Sequence, residues 1–419
     1  MIRHRGITRA TLAAIVASGG LASSSFGGAA VAPAVPADVP VLTLEDAIDF
    51  ALTANKGIAA ARLGTEVARA GVDVAKQRPN PELTFEAARE TPHDALTIAL
   101  PIETGSKRAR RVEVAEASAR GTEAEIARFA ADIRVAVRRA YYAVVAARRR
   151  LDETEELLAL AARTLDAARD RFGSGAASQL EVLQAELAAA EIGNEARDAR
   201  GALGSASGDL NTLLARPPQD PISVSGELDA GTVPDPEAAI GQAMSASVEL
   251  GVLDRGIEEG KARVRLARAQ RIPDLVVHGG PTYRSEPEFA YGYRAGLSIV
   301  LPIQNHRRAE VHLEEQSLGR LEARREAVAT QVRGEVYGAI ALASSEREQY
   351  RRYREEILPK AVEVERMAED SYRSGQTNLV AMLQALQTTR DLRIRAVQSG
   401  YAYQSALADL ERAIGAPLP

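Results

Sequence analysis

Two long stretches of this chain contain almost no proline, and this constrains its fold more than any other feature. Residues 102–216 contain no proline, and residues 303–416 contain only Pro359. Because proline breaks the interior of a helix, both stretches predict very long helices. A continuous helix over residues 104–172 would be about 100 Å long at 1.5 Å per residue. No compact globular domain accommodates such a rod.

The same order of sequence features occurs twice, which predicts an internal duplication. From Leu100 onward the two halves match at an offset of 200 or 201 residues, so that Gly175 corresponds to Gly375. The matching segments are RPNPEL (78–83) with RIPDL (271–275), LPI (100–102) with LPI (301–303), and RFGSGAASQLEVLQ (171–184) with SYRSGQTNLVAMLQ (371–384). Each half is therefore predicted to contain the same helices, strands and turn.

Large apolar residues at heptad-like spacing predict that each long helix packs against a returning helix as an antiparallel coiled coil. In the first half these are Leu151, Leu158, Leu165 and Phe172, continued by Leu180 and Leu187 after the turn. In the second half they are Ile357, Val364 and Met367, followed by Leu379, Leu383 and Leu386. Pro359 is predicted to kink the second long helix or to start a new helical segment.

Four short segments alternate apolar and polar residues, which is typical of strands with one apolar face. They lie near residues 82–90, 94–102, 275–283 and 291–301. Their lengths suit membrane-spanning strands, which need roughly 9–11 residues. Tyr283, Phe289, Tyr291 and Tyr293 cluster near one end of the second pair, as in the aromatic belt of a membrane barrel. Two ordinary soluble hairpins are the alternative interpretation.

The predicted organisation is an export signal, two repeats and a linker. Basic residues followed by a modest apolar stretch and small residues predict a signal peptide over residues 1–32. Repeat 1 covers 41–216, with a long helix at 104–172 and a return helix at 178–215. The linker covers 217–236, and repeat 2 covers 237–419, with helices at 304–373 and 377–414.

Four strands cannot close a membrane barrel, since the smallest barrels have about eight. Two copies of the chain would supply eight strands and three copies would supply twelve. The sequence contains no apolar run of about 18 residues, so any membrane insertion would have to use the strands. The fold class is therefore mainly helical, with long coiled-coil hairpins and a small membrane β part completed by other copies.

Composition excludes several function classes. The chain has no Cys, which excludes disulfides, thiolate zinc sites and cysteine nucleophiles. A net charge of −5, only 11 Tyr and 6 Phe, and no Trp argue against a nucleic-acid partner. The histidines are scattered, and no catalytic constellation stands out from the helical charge pattern. We therefore expect no enzymatic activity, no bound metal and no cofactor.

At this level of detail the sequence resembles the TolC family of outer-membrane efflux proteins, most closely its CzcC-type heavy-metal branch. The resemblance rests on RPNPELTFE (78–86), LPIETGSKRARRVEVAEA (100–117) and the two glycine turns, and it covers about residues 41–419. It implies a homotrimer with a 12-stranded barrel in the outer membrane, a helical tunnel across the periplasm and an equatorial region that includes residues 217–236. It also implies an exit duct for heavy-metal cations, served by an inner-membrane RND pump and a periplasmic adaptor (membrane fusion) protein.

The resemblance further implies a periplasmic tip formed by the two glycine turns. The residues that would meet the adaptor are Ser174, Gly175 and Ala176 in the first turn and Ser374, Gly375 and Gln376 in the second. The tip aperture would be lined by Glu181, Gln184 and Gln384. Glu181 from three copies would form an acidic ring, whereas the equivalent position in the second half is Ala381.

Two alternatives remain open from the sequence. One is a duct of the same family that exports drugs or proteins instead of metals. The other, from a different class, is a soluble periplasmic coiled-coil scaffold that carries two small hairpins.

Overall fold

The computed structural model describes residues 41–285 and 289–418. The predicted signal peptide, residues 1–32, lies outside the described residues. The elements are, in order, β1 (Val41–Leu42), α1 (Leu44–Ala54), α2 (Lys56–Lys76), β2 (Glu82–Ala87), β3 (Asp94–Ile102), α3 (Lys107–Gly173), α4 (Gln179–Leu213), β4 (Ser223–Val224), α5 (Pro236–Ala246), α6 (Val248–Ala269), β5 (Leu275–Ser285), β6 (Phe289–Ile299), α7 (Arg308–Arg352), α8 (Leu358–Arg373) and α9 (Leu379–Ile414).

The first half contains an uninterrupted helix of 67 residues, α3, which begins three residues after the predicted start at 104. At 1.5 Å per residue it is about 100 Å long. It turns at residues 174–178 and packs against α4 along a seam of small and branched residues. Near the turn this seam contains Leu157, Leu160, Ala161, Ala168, Ala185 and Ile192. The frequent alanines let the two helix axes approach closely over this length.

The long helix of the second half is interrupted before Pro359. A π-helical turn, Tyr353–Ile357, separates α7 from α8, and the N–H of Leu358 donates to the carbonyl of Tyr353 five residues earlier. Proline has no N–H to donate to the carbonyl four residues before it, so the regular α-helical ladder cannot continue through this point. The interruption predicted at Pro359 thus takes the form of a π turn that ends one residue before α8 begins.

Part of the predicted heptad seam is wrong. Leu151 is buried and Leu158 and Leu165 are partly buried, but Phe172, Leu180 and Leu187 are exposed. In the second half Leu379 and Leu386 are buried, whereas Val364 and Met367 are exposed. The apolar residues of α4 that pack in the core with α3 are instead Val182, Ala185, Ala189 and Ile192. The large apolar residues Leu180 and Leu187 of α4 therefore lie on a surface that is exposed in a single chain.

The four membrane-strand candidates form one antiparallel sheet in the order β2-β3-β5-β6. β2 ends at Ala87, before the predicted end at 90, and β6 ends at Ile299, before the predicted end at 301. Three cross-strand rows place apolar side chains on one face: Ile299, Leu275 and Ile102; Leu297, Val277 and Leu100; and Ala295, Gly279, Ile98 and Leu83. β2 and β6 each have one edge without a partner strand among the described residues.

A small mixed layer lies beside the middle of the long helices. β1 pairs in parallel with β4, and the phenol of Tyr141 on α3 donates to the carbonyl of Leu42 at 2.9 Å. Arg138 of α3 and Glu411 of α9 form a buried ion pair of 2.8 Å. These contacts tie residues 41–42 and the linker around 222–231 to the helices of both halves.

Candidate functional site: the two hairpin turns

The two hairpin turns have the same backbone construction. Ser174 and Ser374 cap the preceding helices, and Gly175 and Gly375 follow with φ of 80° and 78°. In the first turn the N–H of Ala176 donates to the carbonyl of Arg171 at 2.7 Å, and that of Gly175 donates to Phe172 at 2.9 Å. This pair of hydrogen bonds is a Schellman motif, which requires a left-handed residue at the glycine position.

The second turn repeats the motif with equivalent residues. Gln376 donates to the carbonyl of Ser371 at 2.8 Å, and Gly375 donates to Tyr372 at 3.0 Å. The returning helices are also capped alike, since the Ser178 hydroxyl accepts from the N–H of Glu181 and the Asn378 amide oxygen accepts from Ala381. The six turn residues predicted to meet an adaptor, 174–176 and 374–376, are all exposed.

The two turns differ at the position two residues before the capping serine, and the residue of the second half at this position contacts the first turn. Phe172 is 48% exposed, whereas the equivalent Tyr372 is 1% exposed. Tyr372 is covered by Arg171, whose guanidinium lies 4.9 Å from the ring centroid and donates to the Tyr372 carbonyl at 2.7 Å. The equivalent of Arg171 in the second half is Ser371, so this contact exists once per chain. Sequence reasoning did not single out Arg171, because its partner lies 201 residues away.

Glu181 of the first hairpin lies near Tyr372 of the second. It is half-buried, one of its carboxylate oxygens is buried, and it is close enough to Tyr372 to influence its ionisation. Burial raises the pKa of Tyr372, the Glu181 carboxylate raises it further, and Arg171 partly opposes both. Gln184 is half-buried one turn later on the same helix, and Gln384 is exposed on α9. Of the predicted aperture residues, Glu181 thus lies near the contact between the two turns.

Above the tip, arginines connect the first hairpin to the second. Arg163 pairs with Glu369 at 3.1 Å, and Arg390 pairs with Glu195 at 3.0 Å. The connection with the most partners is Arg393 on α9, which pairs with Glu153 at 2.8 Å, Glu156 at 2.9 Å and Glu365 at 3.3 Å. Burial raises the pKa of Glu365, although Arg393 partly offsets the effect.

The predicted aromatic belt lies at the end of the sheet farthest from the helices. Tyr291 and Tyr293 are 76% and 91% exposed, and the rings of Tyr283 and Tyr291 meet edge to face at 5.9 Å. Phe289 is the first residue of β6. Phe85, which sequence reasoning did not include, is also exposed on β2. The same alternation that identified the tyrosines could have identified it.

Among residues 41–285 and 289–418 no group of three or more acidic or histidine side chains is arranged to hold a metal ion. In the same ranges none of the helices combines the length and apolar character needed to cross a membrane.

This combination of a four-stranded sheet, two helical hairpins and an internal repeat defines a class of channel-forming efflux proteins. The family model described as "Outer membrane efflux protein" matches residues 47–216 and 239–416, and the chain belongs to this family. It is therefore an outer-membrane efflux channel that extends into the periplasm, and it transports molecules without catalysing a reaction. The interpretation as a soluble scaffold is excluded.

Individual relatives agree with this assignment. The chain is 25% identical over 399 residues to the cobalt-zinc-cadmium resistance protein CzcC of Cupriavidus metallidurans, covering 94% of this chain and 95% of that protein. Its fold is similar to the crystal structure of CusC, with a TM-score of 0.75 and 17% identity over 89% of this chain and 92% of that one. A membrane protein from Pseudomonas aeruginosa gives a TM-score of 0.74 and 19% identity over the same shares. Channels of this family form trimers within tripartite efflux systems.

Proposed function

We propose that this channel is the exit duct for heavy-metal cations in a tripartite efflux system. The observation that carries the proposal is the similarity to a cobalt-zinc-cadmium resistance protein along nearly the whole of both chains. An inner-membrane pump of the RND type would supply the energy, and a periplasmic adaptor protein would join pump and channel.

The functional unit in this proposal is a homotrimer. One chain supplies four strands and leaves the edges of β2 and β6 open, and open edges are a liability unless another strand covers them. Helix α2 also exposes Leu63, Val67 and Val74, which lie along one side of that helix. Three copies would supply twelve strands, enough for a closed barrel.

The hairpin turns form the periplasmic tip in this proposal. Residues 174–176 and 374–376 are exposed and would contact the adaptor, with the left-handed glycines fixing their shape. Glu181 from three copies would place carboxylates around the aperture, which favours cations over anions near the entrance.

A deletion strain tests the substrate directly. Loss of the gene should lower tolerance to zinc, cobalt, cadmium or copper, and the intact gene on a plasmid should restore it. Unchanged metal tolerance together with new sensitivity to drugs would contradict metal export and favour the drug-export alternative.

A conductance experiment tests the aperture. Glu181→Gln should reduce cation selectivity of single channels in a planar bilayer. Glu186→Gln is the matched control, because Glu186 lies on the same helix and is paired with Arg169 at 2.8 Å. Equal cation selectivity of Glu181→Gln and the unmodified channel would show that Glu181 does not line the aperture.

A further inference from the structure

The two LPI segments of the repeat have the same sequence but different surroundings. Leu100 and Ile102 belong to β3 and lie opposite Val277 and Leu275 of β5. Leu301 and Ile303 follow the end of β6, and no strand among the described residues pairs with them. Leu301 and Ile303 are 61% and 75% exposed, against 46% and 40% for Leu100 and Ile102. The second segment lacks the strand that covers the first.

The hairpin registers establish which strands are equivalent. Leu83 lies opposite Ile98 in the first hairpin, and Leu275 lies opposite Ile299 in the second. One apolar step along, Phe85 lies opposite Leu96 and Val277 lies opposite Leu297. In each case the residues of β3 and β6 differ by the repeat offset. β2 is therefore the equivalent of β5, and β3 is the equivalent of β6, residue by residue.

Within the chain, the contact between the halves is fixed by a short polar cluster beside the β3–β5 pairing. Lys107 at the start of α3 forms an ion pair of 2.7 Å with Asp274, and the N–H of Thr104 donates to the same carboxylate at 2.9 Å. Burial would raise the pKa of Asp274, but these two contacts and the nearby Arg307 outweigh it and hold the pKa below its usual value.

The equivalent residues of the opposite halves have no such contact within the chain. Arg308 at the start of α7 corresponds to Lys107, and Glu82, the first residue of β2, corresponds to Asp274. Both are exposed, and neither forms an ion pair with another described residue. One chain therefore contains both residues of a second junction like the Lys107–Asp274 junction, but it does not bring them into contact.

In the single chain the N–H of Ile303 donates to the carbonyl of Leu301 at 2.9 Å, which closes a tight turn. We propose that this turn opens in the oligomer, so that residues 300–303 extend β6 and pair with β2 of a neighbouring copy in the register that β3 makes with β5. Ile303 then lies opposite Leu83 of the partner subunit, and Leu301 lies opposite Phe85 of the partner subunit. Arg308 forms an ion pair with Glu82 of the partner subunit. This inference rests on the homotrimer proposed above, for which it specifies the seam between the subunits.

The geometry of closed barrels supports this register. It joins the first residues of β2 to residues beyond the end of β6. A row of neighbouring residues that is followed once around the barrel therefore returns to its first strand several residues away from its starting point. A closed barrel with tilted strands requires such a stagger. The pairing also covers both open edges at once and places Leu301 and Ile303, which are exposed in a single chain, beside the exposed Phe85 and Leu83 of the partner subunit.

Disulfide cross-linking tests the register. Because the chain contains no cysteine, only the introduced cysteines can react. The double variant Leu301→Cys/Phe85→Cys should form covalent dimers and trimers when the purified channel is oxidised with copper phenanthroline. Leu301→Cys combined with Leu83→Cys or with Ala87→Cys is displaced by two residues on the same face, beyond disulfide reach, and should react several-fold more slowly.

The equivalent junction within the chain provides the matched control. Leu100→Cys/Val277→Cys places cysteines at positions that are opposite each other in the structure, and oxidation should give a cross-link without any oligomer ladder. Its rate calibrates the reactivity expected for directly opposite residues.

The outcomes separate the seam from the trimer. If light scattering shows a trimer but a displaced pair reacts faster, or none reacts, the proposed register is wrong and the trimer stands. If the protein has another stoichiometry, the trimer proposal fails and the seam fails with it.

A charge swap tests the ion pair independently. Arg308→Glu and Glu82→Arg should each weaken the trimer against dissociation, by up to about fivefold for an exposed pair, and the double variant should recover most of the loss. Arg320→Glu is the control on the same helix, since Arg320 is also exposed and forms no ion pair with another described residue. Additive losses in the Arg308→Glu/Glu82→Arg variant would overturn the pairing.

Discussion

Arg171 donates a hydrogen bond of 2.7 Å to the carbonyl of Tyr372 and lies over its ring at 4.9 Å, which joins the two hairpin turns of one chain. The contact is asymmetric in a duplicated chain, because the second half has a serine where the first has Arg171. Arg171 therefore supplies a contact between the two turns that the second half does not repeat.

Replacing Arg171 with alanine should loosen the tip. The variant loses a hydrogen bond from a charged donor and a cation–π contact, together worth about 2 kcal/mol. Backbone amides of residues 174–177 and 374–377 should then exchange with deuterium faster, by up to roughly 30-fold. Arg169→Ala is the control, because Arg169 pairs with Glu186 inside the first hairpin. Equal exchange in both variants would show that Arg171 does not hold the turns together.

Arg393 should contribute more to stability than any exposed arginine of the helices. Its guanidinium is buried among Glu153, Glu156 and Glu365, so Arg393→Met leaves carboxylates without their counter-ion. Breaking a buried pair from one side costs about 3–5 kcal/mol. A thermal melt followed by circular dichroism should show a clear loss for Arg393→Met.

Arg366→Met is the matched control for that experiment. Arg366 pairs with Asp370 at 3.4 Å with both side chains exposed, and such pairs contribute less than about 1 kcal/mol. Adding Glu365→Gln to Arg393→Met should restore part of the lost stability, since it removes one of the uncompensated charges. No recovery would indicate that packing of the long side chain matters more than its charge.

The repeat, the long helices and the strand faces could be predicted from the sequence because each depends on a local pattern. Proline breaks the interior of a helix, and alternation assigns the two faces of a strand. The heptad assignment of Leu180 and Leu187 is wrong because α4 meets α3 through a different face, which contains Ala185 and Ile192. Periodicity identifies large apolar residues but does not distinguish a surface inside one chain from a surface left open to another.

The contacts that join the two hairpins could not be predicted in the same way. Arg171 and Arg393 occur in helices with many exposed arginines, and only the fold brings Tyr372 and Glu153 beside them. Similarly, the two LPI segments are identical in sequence, and only the structure shows that one is paired and the other is not.

The pH dependence of stability should change when Glu365 is replaced by glutamine. The folded state raises the pKa of Glu365 above its usual value of 4.5 because the carboxylate is buried, with Glu369 and Glu156 adding to the effect and Arg393 and Arg163 opposing it. Between the usual and the raised pKa, the folded protein binds more protons than the unfolded chain. The stability contributed by this group therefore increases as the pH falls through that window.

The measurement is the melting temperature of both proteins as a function of pH. On acidification through the window, the unmodified protein should gain stability relative to Glu365→Gln, which has no proton to bind at this position. A constant difference between the two curves would show that Glu365 ionises alike in the folded and unfolded states.

Alanine substitutions at neighbouring glycines of the first turn should have opposite effects. Gly175 has a φ of 80°, and an added Cβ would contact nothing within 4 Å, so Gly175→Ala carries only the cost of a left-handed alanine, about 1–2 kcal/mol. Gly173 is the last residue of α3 and also has open space around it. Gly173→Ala should be neutral or stabilise by up to about 1 kcal/mol, since alanine loses less conformational freedom in a helix. Gly375→Ala should behave as Gly175→Ala does, because its φ is 78°. Melting temperatures of the three variants give the comparison, and a Gly175→Ala protein as stable as Gly173→Ala would show that the turn does not require the left-handed conformation.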